Sequence, residues 1–400
     1  MKFHSFIIWV ICMFVKVKLL NFPLERVPKI DTNATSAEEF YPYYFILNVG
    51  TPSKEIKLIF DTASHFTWIS NNYNKTNSST FIAEDKKEDT LYTISNSTIK
   101  AFKANDTVTL STNFNFTFHF FFATQKTITY LNADGIAGFA MRYLPIAEKQ
   151  NCNSLYYSFY HSVNNSTEMQ VISLIHTEQN KGTLYINEYD SSIFNKEDTQ
   201  YCLSKEDYNL WNCEMSFFAV DKTETTNKEI AVFATGEEFI YAPSESGKKV
   251  LTQYLNLINK KNNLCTIEDN MRLFCDKFDY DYLPDFAILL PDNTTTNTST
   301  KIIRLTGIGE DMFKNYNSTH FLFKVIVNKN LNYWVIGEPI IKNYNFLFDY
   351  DNKVIGIVPY SKVGFFLLIL FIMIGFSILI VFLGMVYNYN RNETIKGKMN

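Results

Sequence analysis

Between residues 43 and 359 apolar positions recur either singly, alternating with polar ones, or in runs of four to seven. Asn, Ser, Thr and Asp clusters separate them. A period of two with such punctuation predicts short half-buried strands. The clearest fall at 43–49, 57–60, 107–110, 113–123, 183–187 and 321–328. One stretch has the helical period instead: 245–260, with Val250, Leu251, Tyr254, Leu255 and Ile258 on one face. The polar stretches 71–80 and 293–300 read as surface loops. The pattern predicts a mostly all-β body.

The two ends break this pattern. Lys2 and His4 precede an apolar run over 5–15, the length of a signal-peptide core and too short to span a bilayer. A signal over 1–20 is expected, and Lys16 and Lys18 leave its cleavage point open. Residues 363–386 carry no charge over 24 positions, enough to cross a hydrocarbon core of ~30 Å. Arg391, Lys396 and Lys398 follow. The positive-inside rule then places a tail, 387–400, in the cytosol, with the bulk of the chain on the other side. The expectation is a single-pass type I membrane protein of the cell surface or an endolysosomal or vacuolar membrane.

Composition supports this reading. The chain has 400 residues, 46% hydrophobic and 20% charged, so it can bury a large core or two lobes. With 37 basic and 41 acidic side chains, the formal net charge is −4, and nothing suggests nucleic-acid binding. Sequons begin at Asn33, Asn74, Asn77, Asn96, Asn105, Asn115, Asn164, Asn165, Asn293, Asn297 and Asn317. Chance supplies part of that number in a chain rich in Asn, Ser and Thr, and sequons inside strands can remain unused. Cys202 with Cys213 and Cys265 with Cys275 close short loops that could each be stapled across a hairpin in an oxidising lumen, leaving Cys152 over. No clustered His or C-x-x-C accompanies them, so no metal or other cofactor is expected.

An internal echo is more informative. Leu58-Ile59-Phe60-Asp61-Thr62-Ala63 is matched by Ala231-Val232-Phe233-Ala234-Thr235-Gly236, with Phe66 and Phe239 at the same offset. Around the two copies stand Gly50-Thr51-Pro52, Trp68, Asp134-Gly135-Ile136-Ala137-Gly138, Trp334-Val335-Ile336-Gly337 and Phe348-Asp349-Tyr350-Asp351. In this order the segments resemble the pepsin-like aspartic peptidases (family A1) from about Ile30 to Tyr360. The resemblance implies a bilobal β fold with a central cleft, an N-terminal lobe over 30–190, a C-terminal lobe over 191–360, and one aspartate from each lobe. It places the first aspartate at Asp61, a supporting hydroxyl at Ser64 and the second aspartate at Ala234.

That last position is decisive for the chemistry. Two close carboxylates share one proton, so that one activates water while the other protonates the substrate carbonyl. Ala234 cannot ionise. Ala63 replaces the usual glycine of the first loop. Ile94-Ser95-Asn96-Ser97 stands where the family's flap carries tyrosine and glycines. Glu237 is the candidate for a displaced second carboxylate. Against it stands the fine tolerance of catalytic geometry, ~0.5 Å. His65, beside the first loop, reads as a packing or surface residue. The expectation is a homologue without peptidase activity that binds a peptide or protein ligand in its cleft. The alternatives are an active endopeptidase using Asp61 with Glu237, and a structural coat protein.

Overall fold

A computed structural model describes residues 20–26, 42–70, 72–84, 87–92, 98–111, 114–126, 133–141, 171–178, 181–195, 197–205, 209–260, 264–269, 271–276, 283–292 and 301–360. The expected signal core, membrane span and cytosolic tail, like Cys152, lie outside these residues. Among the described residues no helix is long and apolar enough to cross a membrane.

Strands dominate, as the alternation predicts. Lys181–Ile186 buries every second residue. Phe286–Pro291 buries five in a row, which hides its period and makes it hard to tell from a helical segment in sequence. The described strands assemble into three sheets. The largest runs from Gln200–Leu203 through Val354–Pro359, Tyr344–Asp349, Val171–Glu178, Lys181–Ile186, Leu20–Arg26, Tyr43–Val49 and Lys54–Asp61. It continues through Gly135–Gly138, Trp68–Ser70, Phe114–Lys126 and Thr98–Ser111 to Ile82–Ala83. The second orders Ile302–Gly307, Phe286–Pro291, Asn212–Val220, Thr223–Phe233, Trp334–Ile336, Ile240–Ala242 and Val325–Val327. The third holds Cys265–Ile267, Leu273–Asp276, His320–Phe323 and Phe313–Asn315.

Three departures from the expected layout have physical causes. The stretch 321–328 is two strands in two different sheets, broken at Lys324, whose side chain pairs with Glu338 at 3.1 Å. Second, the halves do not divide cleanly at 190. Gln200–Leu203, Tyr344–Asp349 and Val354–Pro359 join the sheet of the first half, and Phe346, Phe348, Ile355 and Ile357 are buried in the core cluster that this sheet shares with the second. Third, the fold begins before Ile30. Leu20–Arg26 pairs antiparallel with Lys181–Ile186 over six positions and with Tyr43–Val49 at Glu25 and Arg26. Leu24 and Phe22 are buried, so these residues pack as part of the folded body.

The predicted helix is present as Ser244–Asn259 and buries Val250, Leu251, Tyr254 and Ile258 of the stripe seen in sequence, while the fifth member, Leu255, is only half-buried against the core. Tyr254 donates to the Pro284 carbonyl at 2.8 Å, so its hydroxyl is satisfied inside the core. Both disulfides form. Cys265 and Cys275 face each other across one hairpin, Cα to Cα 4.0 Å. Cys202–Cys213 is not a hairpin staple as expected: it joins a strand of the largest sheet to one of the second.

Candidate active-site loops

Each copy of the internal echo is a strand that ends in a turn beside a parallel neighbour. Lys54–Asp61 runs parallel to Gly135–Gly138 and brings Asp61 opposite Gly138. Thr223–Phe233 runs parallel to Trp334–Ile336 and brings Phe233 opposite Ile336. The strands deliver Asp61-Thr62-Ala63 and Ala234-Thr235-Gly236 to one place.

The threonines tie the two turns together reciprocally. Thr62 N–H donates to Thr235 Oγ1 at 3.0 Å, and Thr235 N–H to Thr62 Oγ1 at 3.2 Å. The Thr62 hydroxyl donates to the Phe233 carbonyl and the Thr235 hydroxyl to the Phe60 carbonyl, both at 2.8 Å. All are buried, so each bond satisfies a group that would otherwise cost about 1–3 kcal/mol. The echo was visible in sequence at a separation of 173 residues, but the bonding of its threonines was not foreseen.

Asp61 lies in this junction, 6% exposed. Its Oδ1 accepts from Ala63 N–H at 2.9 Å, and Gly236 N–H bonds the same carboxyl. Burial outweighs these donors and pushes its pKa up to about 6. No cation among the described residues pairs with it.

Local two-fold symmetry exposes the contrast between the loops. A Cβ on Gly236 would sit 2.8 Å from Asp61 Cγ, so the carboxyl of one loop occupies the space beside the third residue of the other. Ala63 is that third residue in the first loop, and it does carry a methyl. It packs in one apolar cluster with Ala234, Ala140, Leu210, Ile230, Val232 and Val335, with Tyr241, Leu331 and Tyr333 against it. Where a second carboxyl would lie by symmetry, the protein has methyl groups. Residues 42–360 match the sequence profile of the eukaryotic aspartyl proteases.

The chain belongs to that family. Among curated proteins it is similar to cathepsin D of Dictyostelium discoideum, 24% identical over 345 residues, covering 78% of this chain and 82% of the relative. Asp61, expected at the position of the family's first aspartate, is buried where the two loops meet. Ser64, expected to support it, donates instead to the Phe66 carbonyl at 2.8 Å, closing its own turn. Ala234 is fully buried and bonded only through its backbone: its N–H donates to the Ile336 carbonyl and its carbonyl accepts from Glu237 N–H.

Glu237 is drawn into the structure of its own lobe. Its carbonyl accepts from Glu338 N–H at 2.9 Å, and its carboxylate takes a hydrogen bond from Tyr241, whose pKa burial and this neighbour raise. Behind it, Glu238 pairs with Lys314 at 2.7 Å, and Glu338 with Lys324 and Lys342. Lys342 also reaches Asp311 at 2.6 Å. Burial raises the Glu238 pKa despite Lys314. These paired charges brace the second loop.

Two features escaped sequence reasoning. Asp106 is a buried hub: it accepts from Tyr73 at 2.5 Å, Ser78 at 3.1 Å and Thr80 at 2.6 Å, which pins the 72–80 loop to its sheet. The other is Trp68, whose buried indole N–H has no partner among the described residues. Trp68 shares one buried cluster with Leu91 and Ile99, on the two strands that lead to 93–97. Residues 93–97, with Ile94 and Asn96, lie outside the described residues. His65 makes an edge contact with Phe66. No metal-binding cluster occurs among the described residues.

Of the sequons, Asn74, Asn77, Asn115 and Asn317 are exposed. Asn105 differs from these: it lies on a strand, is 9% exposed, and its amide donates to Glu84 at 2.6 Å. Asn33, Asn96, Asn164, Asn165, Asn293 and Asn297 lie outside the described residues.

Proposed function

We propose that this family member has lost peptidase catalysis and uses the cleft between its lobes to hold an extended peptide or a protein partner, as a secretory-pathway glycoprotein anchored by residues 363–386. The observation that carries the reading is the matched pair Ala63 and Ala234. Loss of the second carboxylate alone would leave a polar vacancy. Here the opposing loop supplies a methyl and both pack in one apolar cluster. An apolar floor cannot hold the two-carboxylate, one-proton arrangement that activates water. The threonine bonds between the loops are nevertheless retained, so the fold that would frame a cleft is kept while its acid chemistry is dismantled. Main-chain pairing with an extended ligand does not require a second aspartate.

The test is to incubate the purified ectodomain with an unfolded protein from about pH 3 to pH 7, with and without a transition-state-like inhibitor. No cleavage is expected. Cleavage abolished by both Asp61→Ala and Glu237→Ala would overturn this reading in favour of a displaced dyad. The engagement of Glu237 by Tyr241 argues against that alternative.

A further inference from the structure

We infer that Asn317 carries an N-linked glycan whose first sugar packs on the ring of Tyr316. The inference rests on the secretory part of the reading above and on the shape of one hairpin. Phe313–Asn315 and His320–Phe323 pair antiparallel, with Asn315 opposite Phe321, and residues 316–319 form the turn between them. Tyr316 N–H donates to the His320 carbonyl at 2.9 Å, closing that turn.

Within the turn, Asn317 Oδ1 accepts from Thr319 N–H at 2.8 Å, the Thr319 hydroxyl at 3.0 Å and His320 N–H at 2.7 Å. Its oxygen is therefore held on the protein side. Its Nδ2 has no partner among the described residues, and the residue is exposed. Asn105 has the opposite arrangement, with its amide donated inward. The Asn-Ser-Thr order places the hydroxyl that the modification requires on the same side chain that holds Oδ1.

The second observation is independent. Tyr316 immediately precedes the sequon and is 54% exposed, one of the most open large hydrophobic residues described. Phe274 meets its ring at 4.9 Å and 68°, which holds the ring in place while about half of the residue stays exposed. A single exposed aromatic is ordinary on its own. Beside a presented asparagine, it is a platform for the apolar C–H face of a pyranose.

In the modification, Nδ2 attacks C1 of an N-acetylglucosamine linked to a lipid pyrophosphate. The C1–N bond forms, the C1–O bond breaks, the lipid pyrophosphate leaves with the electron pair, and the amide proton passes to a base of the transferase. To test this, the full-length chain is produced through a eukaryotic secretory pathway and its glycans are released by an amidase in heavy-oxygen water, which marks each modified Asn as labelled Asp. Label is expected at Asn317 and not at Asn105. Deglycosylation should then raise the unfolding equilibrium constant several-fold more in the unaltered protein than in Tyr316→Ala, since other glycans contribute equally to both. Label at Asn74 with none at Asn317, or equal responses in the two proteins, overturns the inference. Absence of label at every sequon overturns it together with the secretory reading.

Discussion

Asp61 gives the sharpest quantitative prediction, because its carboxyl is buried without a counter-charge. An unfolded aspartate titrates near ~3.9. In the folded protein burial raises it to about 6. The folded state therefore holds this proton more tightly than the unfolded chain does, and stability must rise as pH falls from about 6 toward about 4. The gap between the folded and unfolded titrations corresponds to about 3 kcal/mol. Above pH 6 that amount counts against the fold, and below pH 4 it is recovered. Asp61→Asn removes the titration while keeping the shape. Denaturant unfolding of both proteins, measured at intervals between pH 3.5 and pH 7.5, isolates the effect in their difference, since all other groups titrate in both. The wild-type protein should gain about 3 kcal/mol on the variant as the pH is lowered, with the change centred between 4 and 6. A flat difference, or one in which the wild type loses ground on acidification, would refute the argument that desolvation dominates this carboxyl.

Other predictions concern the loops and their surroundings. Thr62→Val removes one donor to the Phe233 carbonyl and the acceptor of Thr235 N–H, both buried. It should cost about 2 kcal/mol or more by denaturant unfolding. Ala234→Asp places a carboxyl in the apolar cluster against the Ala63 methyl. Alone it should lower stability by about 3 kcal/mol, and Ala63→Gly should relieve part of that loss in the double variant. Gly236→Ala would bring a methyl to 2.8 Å from Asp61 Cγ and should be among the most damaging single substitutions in the second loop, read as a lowered thermal midpoint. Trp68→Phe removes a buried indole N–H that bonds to nothing described, so it should cost less than Trp334→Phe, which loses a bond to Glu229.

Much of the architecture was legible because period-two alternation survives wherever one face of a strand is open. Tyr43–Val49 matches its expected bounds, and the Ser244–Asn259 stripe was read residue by residue. What failed was non-local. Nothing in the run 321–328 announces that Lys324 will turn toward Glu338 and divide it between two sheets. Phe286–Pro291 has no period to read because both its faces are covered. At the site, the lack of an ionisable side chain at 234 is evident from one letter, as is the extra methyl of Ala63, whereas the other members of their shared cluster, such as Leu210 and Val335, needed three dimensions. The motif position of Ser64 implies a role beside Asp61. Its hydroxyl donates to the Phe66 carbonyl, and a motif does not encode that choice.

The strand Leu20–Arg26 also bears on how the molecule is made. Its longest pairing is with Lys181–Ile186, roughly 160 residues further on, while the next described strand pairs with it at only two positions. During synthesis the first strand to emerge must therefore wait for most of the first half before it can dock. Until then its own backbone donors and acceptors, and the matching edge of Lys181–Ile186, remain open to other chains. A chain that begins at residue 30 would never close that gap. Its two flanking strands would face each other across an empty slot, and one expects such a product to pair with a neighbour's strand or to aggregate rather than to fold as a monomer.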